Sequence, residues 1–89
     1  MMKIKYKYVL RQIARNWIVF FLEQGEENSS NILSLNESGA LLWQRLEKGS
    51  SVEELAQALV DEYALPVQQA QKDAVEFLGK LRAAGCIEE

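Results

Sequence analysis

The sequence has no histidine, a single cysteine and a single proline, and its longest apolar run, residues 17–22, is six residues. Each shortage closes a class of function. Without imidazole there is no histidine acid–base catalysis and no histidine-ligated metal. Cys86 has no second cysteine to bridge and stands between Gly85 and Ile87, the setting of a small buried hydrophobe and not of a nucleophile. A lone thiol agrees with a reducing compartment. A bilayer span needs about 18 apolar residues, and Lys3, Lys5 and Lys7 precede no signal core. A cytoplasmic protein with no membrane partner is expected. The glycines at 25, 39, 49, 79 and 85 are too scattered to cradle a phosphate.

What is present is one small globular domain, residues 1–89, with 48% hydrophobic and 26% charged residues. The net charge of −3 conceals an asymmetry. Residues 1–35 hold five basic and three acidic side chains, and residues 36–89 hold five basic and ten acidic. The acidic half is a poor match for a phosphate backbone and suits a cationic peptide or protein surface.

The chain turns from strands to helices at Asn36. Upstream, the alternation of Tyr8–Ile13 predicts a strand, Ala14, Arg15 and Asn16 a turn, and residues 17–22 a second strand antiparallel to the first. Polar residues 23–30 read as a loop, and residues 31–35 as a third strand. The second strand is apolar on both faces, while helices can cover only one face of so small a sheet. Trp17, Val19 and Phe21 are therefore candidates for a partner or dimer surface; a satellite cluster under the 23–30 loop explains them as well.

Downstream, Asn36 can cap a helix over about residues 37–48 with Ala40, Leu42, Trp43 and Leu46 buried, and Gly49 stops it. Ser51 and Glu54 form a Ser-x-x-Glu capping box for a second helix, whose stripe is Val52, Leu55, Ala56, Leu59 and Tyr63. A third helix over about residues 67–84 buries Val67, Ala70, Ala74, Phe77, Leu78 and Leu81, and Gly85 ends it. Glu53, Glu54, Asp61 and Glu62 are explained by capping and a solvated face. No catalytic constellation, metal set or cofactor motif is present, so a binding protein is expected and not an enzyme.

The stretch Leu35-Asn36-Glu37-Ser38-Gly39-Ala40-Leu41-Leu42-Trp43 resembles the PqqD-like family of peptide chaperones, named for pyrroloquinoline quinone biosynthesis. The likeness continues through Gly49-Ser50-Ser51-Val52-Glu53-Glu54-Leu55, Glu62-Tyr63, Asp73-Ala74-Val75-Glu76-Phe77-Leu78, Leu81 and Gly85-Cys86-Ile87. The resemblance implies an α+β, winged-helix-like fold of order β-β-β-α-α-α. It implies a recognition element that binds the leader of a ribosomally made precursor peptide and presents it to a separate maturation enzyme, often a radical S-adenosylmethionine protein. In that family the leader adds as a strand beside the third strand, in a groove closed by the third helix.

Carried onto this chain, one wall of the groove is Asn31, Ile32, Leu33 and Ser34. The other is Asp73, Glu76, Phe77, Lys80, Leu81 and Ala84, with Phe77 and Leu81 as floor and Asp73, Glu76 and Lys80 on a charge-selecting rim. The same residues admit plainer roles: Phe77 and Leu81 as core, and Glu76 with Lys80 as an i,i+4 pair on a solvated face. Two departures from the family pattern stand out. Pro66 and Val67 replace the usual cap-then-proline before the third helix, and Ala14-Arg15-Asn16 stands where glycine is frequent. A winged-helix DNA-binding protein is the main alternative, but Lys72, Lys80 and Arg82 are offset by Asp73 and Glu76, and the second helix has no basic residue. A homodimerisation or protein-interaction module is another.

Overall fold

The computed structural model describes residues 1–22 and 29–89, with backbone alone for residues 29–32. In chain order it contains β1 (Lys3–Ile4), β2 (Tyr8–Ile13), β3 (Asn16–Leu22), β4 (Ser29–Leu35), α1 (Glu37–Glu47), α2 (Val52–Tyr63), α3 (Val67–Ala83) and β5 (Ile87–Glu88). Strands β2, β3 and β4 form an antiparallel sheet in that order, and three helices follow, giving the expected α+β architecture. The expected 23–30 loop lies outside the described residues except at Ser29 and Ser30, which already belong to β4.

Strands β1 and β5 were not anticipated. They pair antiparallel, Lys3 with Glu88 and Ile4 with Ile87, while Met2 bridges Ser50, so both chain ends are tied beside the helices. A two-residue strand carries no periodicity, which is why the sequence pattern is silent about it.

The β2–β3 hairpin closes through Ala14-Arg15, with Ile13 opposite Asn16. Ala14 takes φ 57, the left-handed conformation that two-residue hairpins favour and glycine usually supplies. Asn16 thus opens β3 and does not belong to the turn. In β4, Leu33 lies opposite Val19 but Asn31 lies opposite Phe20, so Ile32 is the extra residue of a β-bulge.

Residues directly opposite in an antiparallel pair share a face. Leu10, Val19 and Leu33 form one row, and Trp17 lies opposite Leu35. Both rows point into the core: Val19 is fully buried, Leu35 buried, and Leu10, Trp17 and Leu33 pack against them. This corrects the assignment of Trp17 and Val19 to an outer surface. Phe21 is on the same side, where its ring meets Tyr8 at 5.0 Å between centroids. The outward residues of β3 are Ile18, Phe20 and Leu22.

The helices follow their caps. Asn36 Oδ1 accepts from the Gly39 N–H at 2.8 Å. The capping box closes both ways, Ser51 Oγ accepting from Glu54 N–H at 3.2 Å and Glu54 Oε1 from Ser51 N–H at 3.1 Å. Trp43, Leu46, Leu55, Leu59, Leu81 and Cys86 are the largest wholly buried side chains beside Val19. One expected core position fails: Val67, at the start of α3, is 59% exposed.

Candidate functional site

Two features meet where the sheet hands over to the helices. The first is β4, which pairs with β3 on one side and with no strand on the other among the described residues. Its outer N–H and C=O groups can accept another strand. The bulge at Ile32 divides that edge into a stretch before it and the stretch Leu33, Ser34 and Leu35 after it. The second is an open groove of about 600 Å³ between the start of α1, the end of α2 and the middle of α3.

Asn36, Glu37, Ser38 and Gly39 form one end of this groove, and Leu42, Leu59, Leu65 and Phe77 supply apolar lining. Asp73, Glu76 and Lys80 stand along α3, and Tyr63 closes the α2 side. Gly39 is the hinge between groove and strand. A Cβ there would lie 3.3 Å from both Leu35 Cβ and Phe77 Cε1, tighter than ordinary contact. A glycine at this point lets the end of β4, the first turn of α1 and the α3 aromatic converge.

No salt bridge occupies the rim among the described residues. Among the described residues the one ion pair is Arg82 with Glu89, at 2.6 Å. Glu76 and Lys80 therefore form no i,i+4 bridge, and Asp73 accepts only from Gln69 Nε2, at 2.7 Å. Partial burial, with Glu37 and Glu62 nearby, raises the Tyr63 pKa, so its hydroxyl remains a hydrogen-bond donor well past neutral pH. Cys86 is elsewhere: burial pushes its thiol up to about 11, partly opposed by Lys5, which leaves it protonated and inert.

Of the expected site residues, Asp73, Glu76, Phe77 and Lys80 come together in the groove. Leu81 does not: it is 0% exposed and supports the floor from within the core, because its position on α3 points inward beside Ala74 and Leu78. Ala84 caps α3 and lies outside the groove lining. Leu33 turns its side chain toward the core and Ser34 is exposed, so their backbone edge is what they offer. Asn31 and Ile32 are placed by backbone only, Asn31 opposite Phe20 and Ile32 at the bulge. Glu37, Ser38, Leu42, Tyr63 and Leu65 were missed as lining. In the sequence they read as a helix start, a core stripe and a helix end, and only tertiary packing brings those ends to one place.

No group of three or more acidic or cysteine side chains among the described residues could hold a metal ion, and no helix there is long and apolar enough to cross a membrane.

Solved structures share this fold. TbiB1 in complex with the TbiA(beta) leader peptide superposes with a TM-score of 0.76 at 26% identity, over 97% of this chain and 94% of that one. Lasso peptide synthetase B1 complexed with the leader peptide gives a TM-score of 0.74 at 24% identity, over 99% of this chain and 98% of that one, a likeness of fold. No curated protein sequence matches the chain significantly. The sequence model of the family described as coenzyme PQQ synthesis protein D matches residues 16–87, from the first residue of β3 into β5 and across the whole groove, and the chain belongs to this PqqD family.

Proposed function

We propose that this chain binds the leader segment of a ribosomally made precursor peptide and holds it for a separate maturation enzyme, without catalysing a reaction itself. The observation that carries the reading is the junction at Gly39, where a strand edge unpaired among the described residues runs into a groove with an apolar floor and charges of both signs that form no salt bridge among those residues. An extended peptide adds to β4 through main-chain hydrogen bonds, which demand little of its sequence. Its side chains enter the groove over Phe77, and Asp73, Glu76 and Lys80 select among them by charge. Two structurally similar proteins are complexes with leader peptides, which supports the same ligand class here.

The mechanism is tethering. A bound leader converts the meeting of core peptide and enzyme into a local event at raised effective concentration. The enzyme partner we assign is of the radical S-adenosylmethionine type, and the complex is cytoplasmic.

A backbone-amide NMR titration with the leader of a precursor encoded beside this chain's gene tests the reading. Shifts on Leu33, Ser34 and Leu35 together with Asp73, Phe77 and Lys80 are expected. Shifts confined to the outer sheet face at Ile18, Phe20 and Leu22, or none in a well-folded sample, would reject it.

A further inference from the structure

The exposure of Val67 belongs to a pattern. On α3, Val67, Gln71 and Val75 recur at intervals of four and all are exposed, Val75 at 58%. On α2, Val52, Ala56 and Val60 recur at the same interval. Both rows line an open furrow of about 430 Å³, with Glu53 and Gln57 also in its lining. At about 100° per residue, the valine row of α3 and the row of Asp73, Phe77 and Lys80 lie on opposite flanks of the buried stripe. The furrow is thus a second surface, separate from the leader groove. Two rows of side chains at a spacing of four are what a third helix meets when its ridge packs between two others. β-branched residues exposed on a helix weaken it slightly and leave apolar area in water, and nothing in the fold requires valine at 67 or 75.

We propose that this furrow docks a basic amphipathic helix of a separate protein; that this protein is the maturation partner rests on the function proposed above. Charge argues for that occupant. Glu53 is the one charged residue in the furrow's lining, on a helix that has three further acids and no basic residue, against a single exposed lysine, Lys72, beside the α3 row; lysine or arginine flanking an apolar ridge is therefore favoured over an anionic partner. A second copy of the chain is a poorer occupant. It could offer only this same furrow, with Val67 and Val75 exposed, and pairing the two would bring together two α2 helices of like, acidic charge. With leader and helix on opposite flanks of α3, both can be held at once, which brings enzyme and substrate to one scaffold.

The test uses the full chain, isotope-labelled, and a designed helix of about five turns with leucine along one stripe flanked by lysines, beside the same helix with every lysine replaced by glutamate. Amide shifts on residues 52–60 and 67–75 are expected, with the glutamate helix binding at least about tenfold more weakly. Val75→Glu, at an exposed site that tolerates charge, is expected to remove the shifts. Glu53→Lys reads the charge dependence separately and is expected to narrow the gap between the two helices. Shifts elsewhere, equal affinity for both helices, or indifference to Val75→Glu would overturn the proposal. So would self-association of the unliganded chain that Val75→Glu abolishes, since it assigns the furrow to a second copy. Leader peptide titrated onto the same samples reports on β4 and its groove, so either reading can fail alone.

Discussion

Helix α3 borders two grooves that differ in kind. One flank, at Asp73, Phe77 and Lys80, faces the start of α1 near the end of β4, mixes charges over an apolar floor, and opens beside a strand edge that is unpaired among the described residues. The other, at Val67, Gln71 and Val75, faces only α2 and is lined mostly by valine and alanine. The first gathers the start of α1, the end of α2 and the middle of α3 beside a strand edge, where backbone groups are available; the second runs along the flanks of two helices, residues 52–60 and 67–75, and offers mainly side chains. A groove of the first kind suits an extended peptide that needs main-chain partners. A groove of the second kind suits a helix, which brings none.

The largest test of this contrast is Phe77→Ala. Phe77 is 9% exposed and serves core and groove together, so its removal is expected to cost about 3–5 kcal/mol, a large share of the roughly 5–15 kcal/mol of a small domain. Chemical denaturation and leader titration should both register it. Val75→Ala, in the other groove, should move the denaturation midpoint by less than about 0.5 kcal/mol. Equal losses at the two sites would erase the distinction.

Next come the caps. Asn36→Ala and Ser51→Ala each remove a side chain that accepts from a helix-start N–H, and each is expected to cost about 1 kcal/mol. Asn36 lines the leader groove and Ser51 does not, so titration calorimetry should show leader affinity falling several-fold in the first variant alone. The smallest expected effect is a gain. Ala64 ends α2 in the left-handed region at φ 53, between Tyr63 and Leu65 of the groove wall. Ala64→Gly relieves that strain by about 0.5–1 kcal/mol net of glycine's entropy. Calorimetry should record a melting temperature higher by roughly 3–6 °C.

Much of this architecture was legible because local chemistry carries it. Asn36, Ser51 with Glu54, Gly49 and Gly85 mark the helix ends, and each acts within a few residues of itself. The faces of β3 were not legible. With apolar residues at 17 through 22, parity alone cannot say which alternate set turns inward, and the set of Trp17, Val19 and Phe21 was placed on the wrong side. Leu81 had two readings, core and groove floor, for a related reason: a helix stripe shows that a residue is apolar and periodic, not whether it is the last buried layer or the first exposed one, and its full burial decides for the core.

The sequence by itself determined the order of the three sheet strands and three helices, their boundaries to within a residue or two, and the charge asymmetry, since all of these follow from propensity, capping and composition. Only the tertiary structure decided that Val19 faces the helices, that Ile32 is squeezed out as a bulge, that β1 and β5 tie the ends, and that Glu37, Tyr63 and Phe77 line one groove. Those facts depend on which surfaces meet when the apolar area of three helices and one sheet is buried together, and no window of neighbouring residues contains that choice.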